Sequence, residues 1–326
     1  VGDLLIGSSS DDFNGTNAGA VWLAPGEDVG GDRIESSDLD YQVYGDDSSD
    51  YLGDSVALVD LDGDGSDEVV IGAYGTDSPD SSAGAVYIDY GAVSAFDIAT
   101  GIADGTLVGG DRGDNVGTML AGIGDQGSDG YDDLLVGAAG KLDSGAVYVV
   151  EGVTSTRTTI DTHPYIYDSN GYTGMGRAAA GGDLTGDGID DIVVGVPYYE
   201  YGAISLAGAA FVAEGPVTVT TDVSSLVAIG GDDLYEQVGG TVAIADDFNG
   251  DGYADLVVAR RERTTEPARP ARSTWSSVPP PPPGRPARWR TPSSPRPRTP
   301  APARTAAAEG PSTRRAMSTA TGGPTC

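Results

Sequence analysis

The chain has 326 residues, 50 Asp or Glu against 18 Lys or Arg, and a formal net charge of −32. Such an acidic surface repels phosphate, which argues against nucleic acid and anionic membranes as partners. His163 is the only histidine, and residues 1–258 contain no cysteine. This composition argues against Cys–His and Ser–His nucleophilic machinery, and we expect no enzyme activity.

The chain opens on an apolar segment, Asp3-Leu4-Leu5-Ile6-Gly7, which is typical of a β-strand. An acidic loop followed by an apolar strand recurs later in the chain. Asp3 matches the last residue of that loop, and the residues from Leu4 to Gly7 match the strand after it. We therefore predict that the residues from Asp3 to Gly26 form only part of a repeat. No signal peptide or membrane-spanning run is visible, and we expect no membrane insertion.

Further along, one nine-residue acidic loop occurs four times, at spacings of 65, 58 and 64 residues, each time followed by an apolar strand. Side chains at loop positions 1, 3, 5 and 9 and the carbonyl at position 7 can converge on one Ca²⁺, and glycine at position 6 permits the bend. Ordinary Asp-Gly turns are the alternative, but recurrence in phase favours metal sites. The loops are Asp60–Glu68, Asp125–Asp133, Asp183–Asp191 and Asp247–Asp255.

These loops differ from the EF-hand, which needs a glutamate at position 12 and a helix on each side. Position 12 of the first loop is Ile71, inside a β-branched run. The pattern therefore predicts strands around each loop.

A second landmark keeps the same period. The segments GAVW, GAVY, GAVY and GAAF begin at Gly19, Gly84, Gly145 and Gly208, which lie 65, 61 and 63 residues apart. Each unit of about 60 residues then offers about four short strands, as in a propeller blade. One blade cannot bury both of its faces, so neighbouring blades must pack together. The sequence predicts an all-β fold, an incomplete β-propeller of about four to five blades.

The repeated unit resembles the FG-GAP repeat of the integrin α-subunit β-propeller over residues 1 to about 258. "FG" is weakly kept as Leu52-Gly53, Val116-Gly117 and Met175-Gly176, and "GAP" survives best as Gly195-Val196-Pro197. The resemblance implies Ca²⁺ sites at one end of the propeller and an extracellular or cell-surface location. It also implies adhesion to, or binding of, a protein or glycan ligand through the opposite face.

The resemblance assigns Ca²⁺ ligands by loop position. The Asp125 loop departs from the pattern because position 3 is Gly127, so we expect it to be the weakest site. In each loop the position-7 residue contributes its carbonyl oxygen. The assigned ligands are Asp60, Asp62, Asp64, Ser66 and Glu68; Asp125, Asp129, Tyr131 and Asp133; Asp183, Thr185, Asp187, Ile189 and Asp191; and Asp247, Asn249, Asp251, Tyr253 and Asp255.

The composition changes at Ala259. Residues 1–258 hold 5 Lys or Arg against 47 Asp or Glu, whereas residues 259–326 hold 13 Arg against 3 Glu and most of the prolines. One interpretation is a functional basic, disordered tail. The other is out-of-frame translation of further repeat, because a shifted frame permits GAVYVV from Ala271, 63 residues after Gly208. We predict a propeller in residues 1–258 and a disordered segment without regular sheet in residues 259–326.

Two functions of different classes fit these patterns. The first is a non-catalytic adhesion or ligand-binding module, and the second is a Ca²⁺-stabilised scaffold attached to a secreted hydrolase. The tripeptide Arg112-Gly113-Asp114 spells a known adhesion motif, but it sits where other units have equivalent linker residues, so we interpret it as part of the repeat.

Overall fold

The computed structural model describes residues 3–24, 26, 39, 41–90, 103–152, 157–245, 247–261 and 274–276. Within these residues the regular structure consists of β-strands and short 3₁₀ turns, and none of them forms an α-helix. This confirms the predicted all-β class.

The strands form five sheets that follow one another along the chain, and we call them blades 1 to 5. Blade 1 contains β1 (Leu4–Ser8), β2 (Ala20–Ala24) and β3 (Tyr41–Tyr44). Blade 2 contains β4 (Leu52–Val59), β5 (Glu68–Ala73), β6 (Ala85–Asp89) and β7 (Gly105–Val108). Blade 3 contains β8 (Val116–Ile123), β9 (Asp133–Ala138), β10 (Ala146–Val150) and β12 (Tyr165–Tyr167). Blade 4 contains β13 (Ala179–Gly182), β14 (Asp191–Val196), β15 (Ala209–Ala213) and β17 (Val227–Gly230). Blade 5 contains β18 (Thr241–Ala245), β19 (Asp255–Ala259) and β20 (Thr274–Ser276).

Each blade is an antiparallel meander in which neighbours in sequence are neighbours in the sheet. In blades 2 to 5 the acidic loop joins the first strand to the second, as predicted. The second strands β5, β9 and β14 are buried at every residue. Their continuous apolar sequences follow from packing on both faces of the sheet.

Two short strands tie neighbouring blades together. β11 (Arg157–Thr159) lies between the third and fourth strands of blade 3 and pairs parallel with β7 of blade 2. β16 (Thr221–Asp222) lies at the same place in blade 4 and pairs parallel with β12 of blade 3. Hydrogen bonds as well as side-chain packing therefore hold successive blades together.

The hydrophobic cores lie between consecutive blades. One cluster joins Val70 of blade 2 to Val136 of blade 3, and another joins Leu135 of blade 3 to Val194 of blade 4. Similar clusters connect blade 1 to blade 2 and blade 4 to blade 5. Each blade is thus stabilised by its neighbours, as in other repeat proteins.

Close contact between glycines explains the repeated "FG" and "GA" elements. Gly137 in β9 lies so close to the carbonyl of Gly176, in the next blade, that a Cβ on Gly137 would collide with it. Gly176 itself has φ of 82°, which glycine adopts without strain. The same arrangement recurs between Gly7 and Gly53, Gly72 and Gly117, and Gly195 and Gly239.

Blade 1 has three described strands, and the first of them matches the second strand of a complete blade. β1 and β2 correspond to the second and third strands of a complete blade, because Leu4 lies opposite Ala24 just as Leu134 lies opposite Val150. The described residues contain no first strand for this blade.

The prediction that no sheet forms after residue 258 is wrong at two places. β19 runs on to Ala259, and Thr274–Ser276 forms β20. Thr274 lies opposite Val258 and Ser276 opposite Leu256, which is the register of the third strand in other blades. Backbone hydrogen bonds complete a sheet edge whatever the side chains, which accounts for this strand. Residues 260 and 261 are described and form no strand, and residues 262–273 and 277–326 lie outside the described residues.

Candidate metal centres

All four acidic loops share one hydrogen-bonding scheme at position 1. The first aspartate of each loop accepts backbone N–H groups from the residues that follow it, and so closes the loop around its own carboxylate. Asp183 accepts from Gly186 at 2.6 Å, from Asp187 at 3.1 Å and from Gly188 at 2.9 Å. Asp247 repeats this pattern, and Asp60 and Asp125 each accept two such bonds.

Position 9 is the first residue of the second strand and is buried in every loop. Its carboxylate accepts the N–H of position 2, as between Glu68 and Leu61 at 2.6 Å and between Asp133 and Gln126 at 2.8 Å. The other oxygen of Asp133 accepts from Gly152 at 3.0 Å, beyond the third strand of its blade. This carboxylate therefore fixes the loop to the sheet. The same bonds are made by Asp191 and Asp255 to their loops and by Asp191 to Gly215.

The Asp60 loop brings three assigned ligands together. One carboxylate oxygen from each of Asp60, Asp62 and Glu68 lies within 4.8 Å of the others. Asp64, at position 5, does not belong to this group, and its Oδ1 accepts the Ser66 N–H at 2.8 Å. The remaining loops repeat the bond between the position-5 carboxylate and the position-7 N–H.

Position 3 distinguishes the other loops, because it is not acidic in any of them. Thr185 Oγ1 is buried and has no hydrogen-bond partner, which suits a hydroxyl that would bind a cation. Asn249 Nδ2 donates to Asp255 at 2.8 Å. Gly127 offers no side chain, so the Asp125 loop lacks a ligand at this position.

Burial raises the pKa of the position-9 carboxyls Glu68, Asp133 and Asp191. The pKa of Glu68 is raised to about 7, first by burial and then by the like charges of Asp62 and Asp60. Burial likewise raises the pKa of Asp133 and of Asp191 to about 6. These groups ionise reluctantly without a nearby cation, and a bound cation would favour their charged form.

A second acidic group shows how this protein neutralises clustered carboxylates. Oxygens of Asp111, Asp114 and Asp161 also lie within 4.8 Å of one another. The ammonium of Lys141 lies among them, at 3.3, 3.0 and 2.9 Å respectively. Burial alone would lower the pKa of Lys141, but its hydrogen bonds to Asp161 and Asp114 raise it. Lys141 therefore serves as an internal cation between blades 2 and 3.

Sequence reasoning missed this cluster. The available signal was that Lys141 is the only lysine of the chain, in a region with a large excess of acid. Its three partners lie 30, 27 and 20 residues away in sequence, and nothing in the repeat pattern places them together.

Neighbouring loops also touch one another. The Asp132 N–H donates to the Asp60 carbonyl at 3.1 Å, and the Gly124 N–H donates to the Asp190 carboxylate at 2.8 Å. The buried Gln126 side chain donates to the Asp190 carbonyl and accepts the Val217 N–H at 3.0 Å. The Asp125 loop, which is poorest in ligands, is therefore held by protein contacts on both sides.

The donor sets fit a hard cation such as Ca²⁺. All the assigned ligands are oxygens, the type that Ca²⁺ prefers. Among the described residues, no basic side chain forms an ion pair with a carboxylate of the Asp60 loop. A bound cation would supply the positive charge that Lys141 supplies to the other acidic group.

Comparison with known families identifies the repeat. The FG-GAP repeat model matches residues 52–89, 175–206 and 238–262. The Asp60 loop falls entirely within these ranges, as do the Asp183 and Asp247 loops, whereas the Asp125 loop lies outside them. The departure at Gly127 therefore falls in a repeat that the family model does not match.

Curated relatives include two kinds of protein. The chain is 35% identical over 161 residues to integrin alpha pat-2 of Caenorhabditis briggsae, a region that covers 44% of this chain and 13% of the integrin. It is 32% identical over 145 residues to phosphatidylinositol-glycan-specific phospholipase D of Bos taurus, covering 41% of this chain and 17% of that protein. Integrin alpha-PS2 of Drosophila melanogaster is 33% identical over 161 residues, 45% of this chain and 10% of the relative. The chain thus aligns with a small part of each relative.

Among the residues that the structure describes, no helix is long and apolar enough to cross a membrane.

Proposed function

Since this chain carries FG-GAP repeats, we propose that it is a Ca²⁺-binding, non-catalytic β-propeller module that binds a protein or glycan ligand outside the cell or at its surface. The observation that carries this proposal is the group formed by Asp60, Asp62 and Glu68, whose oxygens lie within 4.8 Å of one another. The Lys141 cluster supports it by contrast, because there a protein side chain supplies the positive charge.

Ca²⁺ would stabilise the loops in this function. The carboxylates at positions 1 and 9 already fold each loop through backbone hydrogen bonds. A cation would offset the repulsion between these carboxylates, and its binding free energy would add to the stability of the folded state.

Calcium titration tests this part of the proposal. We expect the EDTA-treated protein to bind Ca²⁺ in a calorimetric titration, with the Asp60, Asp183 and Asp247 loops binding more tightly than the Asp125 loop. The melting temperature should rise with Ca²⁺ and fall again with EDTA, and Mg²⁺ at the same concentration should have a smaller effect, because it demands a stricter geometry. No binding heat and an unchanged melting temperature would contradict the proposal.

The face opposite the acidic loops is the candidate ligand surface. It is formed by the connections between second and third strands and by the linkers between blades. Exposed apolar side chains recur there, with Tyr172 80% exposed and Phe13 72% exposed. Exposed aromatic residues in loops are frequent anchors of binding surfaces. Leu142, Tyr198, Leu234 and Tyr235 lie in the same set of connections.

A binding screen with matched variants tests the ligand surface. Glycan and extracellular-matrix protein arrays should yield a ligand whose binding is weakened by Tyr172→Ser. Val219→Ser is the control, because Val219 is 68% exposed in a connection at the loop end of the propeller. Equal loss of binding in both variants would contradict a site on the proposed face.

The second candidate is a scaffold attached to a secreted hydrolase. The similarity to a phosphatidylinositol-glycan-specific phospholipase D favours it, since that relative is named as an enzyme. The genomic sequence on both sides of the coding region discriminates the two functions. A hydrolase motif there favours the scaffold, and further adhesion domains favour the ligand-binding module.

A further inference from the structure

A small cavity lies at the end of the propeller opposite the acidic loops. It has a volume of about 260 Å³ and is lined by Arg177, Asp54, Tyr74, Asn115 and Thr118. Tyr74 follows the last residue of β5 and Arg177 precedes β13, whereas the acidic loops join the other ends of these strands. The lining residues come from blades 2, 3 and 4, which have four antiparallel strands each and a described blade on both sides. The cavity therefore forms between complete, neighbouring blades.

Hydrogen bonds and a ring contact hold the walls of this cavity in place. Asn115 Nδ2 donates to the Tyr74 carbonyl at 3.2 Å, which ties blade 3 to blade 2. The Thr118 hydroxyl lies within hydrogen-bond distance of the Gly176 carbonyl oxygen of blade 4, at 3.3 Å. The Tyr74 ring stacks on Tyr51 with ring centroids 4.8 Å apart. A ligand that enters this cavity therefore meets walls that are already ordered, which lowers the entropic cost of binding.

The Arg177 guanidinium is free to bind an anion. The Arg177 side chain is exposed, and among the described residues no carboxylate forms an ion pair with it. Burial, and then the negative charge of Asp54, raise the pKa of Tyr74, and the positive charge of Arg177 partly opposes this rise. The charges of Asp54 and Arg177 therefore both act inside the cavity without neutralising each other in an ion pair.

A second, larger cavity shares Arg177 with the first. Its volume is about 600 Å³, and Tyr198, Gln237, Arg260 and Arg261 line it together with Arg177. Half of the six basic side chains that the structure describes therefore line one cavity, in a chain with a large excess of acid. Such a concentration of positive charge indicates a site for a negatively charged group. The six described basic residues are Arg112, Lys141, Arg157, Arg177, Arg260 and Arg261.

We propose that Arg177 binds the carboxylate of an acidic sugar, a uronic or a sialic acid, in a glycan whose other sugars are mostly uncharged. A planar guanidinium matches a carboxylate through two parallel hydrogen bonds. The Asp54 carboxylate accepts hydrogen bonds from sugar hydroxyls, and the ring of Tyr198, which is 44% exposed, offers an apolar surface to a neighbouring sugar ring.

This assignment rests on the proposed ligand-binding function and names its ligand class. It depends on Arg177 and not on the arginines after residue 258, so it holds in either reading frame.

The charge of the whole chain favours an isolated carboxylate over a polyanion. Residues 1–258 hold 47 acidic side chains against 5 basic ones, and this excess repels densely charged chains such as nucleic acids and sulfated polysaccharides. A single carboxylate beside Arg177 gains a charged hydrogen bond at short range. The local positive charge therefore selects a sparsely charged glycan.

A ligand-observed NMR titration of the full chain in Ca²⁺ buffer tests the ligand class. Methyl glucuronide and N-acetylneuraminic acid are the probes, and they distinguish the two sources of the carboxylate. At least one of them should bind about tenfold or more tightly than its own amide, which lacks the charge. Equal binding of each acid and its amide would overturn the proposal. Equal binding of methyl glucoside 6-sulfate would do the same, because the site would then not select a carboxylate.

Two protein variants locate the site. Arg177→Gln removes the charge and should weaken binding of the acidic sugar about tenfold or more. Arg112→Gln removes the same charge from another exposed arginine, in the linker before blade 3, and should bind like the wild type. Circular dichroism checks that both variants remain folded. Equal loss in both variants would show a general charge effect and contradict a site at Arg177.

The alternative is that the carboxylate binds through a Ca²⁺ ion held by an acidic loop. Asp62→Ala tests this route and should leave binding of the sugar unchanged. Loss of binding in Asp62→Ala, with Arg177→Gln unaffected, would overturn the proposal.

The outcomes separate this proposal from the proposed function on which it rests. If neither acid binds but the glycan and protein arrays yield another ligand, the acidic-sugar assignment fails and the ligand-binding function stands. If the arrays yield no ligand and neither acid binds, the ligand-binding function fails as well. Binding that depends on Arg177 supports the assignment even where the calcium titration shows no sites.

Discussion

Asp50 and Asp114 occupy the same position in the linkers before blades 2 and 3, but their surroundings differ. Each accepts the N–H of the residue three positions earlier, from Asp47 at 3.3 Å and from Asp111 at 3.0 Å. Lys141 neutralises Asp114 at 3.0 Å, and the residue equivalent to Lys141 in blade 2 is Thr76. Burial, and then the like charges of nearby aspartates, raise the pKa of Asp50 to about 6.

This difference predicts opposite effects of one substitution. Because the pKa of Asp50 is higher in the folded protein than its ordinary value of 3.8, its ionisation lowers stability as pH rises from about 4 to about 6. Asp50→Asn should therefore stabilise the protein above pH 6, by about 1 kcal/mol after allowance for solvent screening. Its effect should vanish below about pH 4.

Asp114→Asn is the matched control and should destabilise the protein by about 1–3 kcal/mol near neutral pH, because Lys141 loses a buried partner. Urea unfolding at several pH values measures both variants. If Asp50→Asn destabilised the protein above pH 6, the interpretation that ionised Asp50 lowers stability would be contradicted.

A second prediction concerns the Asp60 loop. Asp62→Ala removes one of the three clustered carboxylates. The calcium affinity of the Asp60 loop should then fall about tenfold or more, since affinity follows ligand charge and number. Gly127→Ala occupies the same position in the Asp125 loop, removes no ligand, and should leave calcium binding unchanged. Calorimetric titration of both variants measures the difference. Equal affinities for wild type and Asp62→Ala would show that Asp62 is not a ligand.

At the scale of elements, the sequence predicted the strands that flank each acidic loop, because loop and strand recur together. The fit of blade 1 into the repeat followed from the segment Asp3–Gly7, which matches the end of an acidic loop and the strand after it. Other features could not be predicted. β11 and β16 are only 3 and 2 residues long, and their parallel pairing depends on the placement of whole blades. The Lys141 cluster joins three distant segments, and the glycine contacts need three-dimensional register.

Those glycine contacts give a third prediction. Gly137→Ala should destabilise the protein by roughly 3 kcal/mol, because the added methyl group would collide with the backbone carbonyl of Gly176 and the backbone would have to shift. Gly127→Ala is the control, since its added Cβ would have its nearest neighbour at 3.8 Å. That control should stay within about 0.5 kcal/mol of wild type. Denaturant unfolding in EDTA measures both without a contribution from bound calcium.

β20 bears on the frame hypothesis. Its backbone lies in the register of a third strand, and in the shifted frame Thr274–Ser276 would read Tyr-Val-Val. We therefore expect that shifting the reading frame at Ala259 replaces β20 by an apolar third strand and raises the soluble yield. Sequencing the coding DNA around Ala259 and expressing both frames tests this. Early stop codons in the shifted frame would rule out the frame hypothesis and favour a functional basic tail.

At the scale of the whole molecule, the blades are held by apolar cores while their acidic groups repel one another. Residues 1–258 hold 47 acidic side chains against 5 basic ones. Of the basic side chains, Lys141 already forms ion pairs with Asp111, Asp114 and Asp161. Self-repulsion of this size opposes a compact state. Its effect reaches beyond single loops, because neighbouring loops are in contact around the propeller.

This charge makes the metal-free protein sensitive to ionic strength. Raising NaCl from about 0.01 M to about 0.1 M shortens the screening length from about 30 Å to about 10 Å, which weakens repulsion between loops of different blades. The melting temperature of the EDTA-treated protein should therefore rise over this range. Choline chloride at equal ionic strength should act alike, because screening does not depend on the cation. With Ca²⁺ bound, the acidic groups are partly neutralised and the salt effect should shrink. A melting temperature that falls with salt, or a salt effect that Ca²⁺ leaves unchanged, would mean that these carboxylates do not set the stability of the propeller.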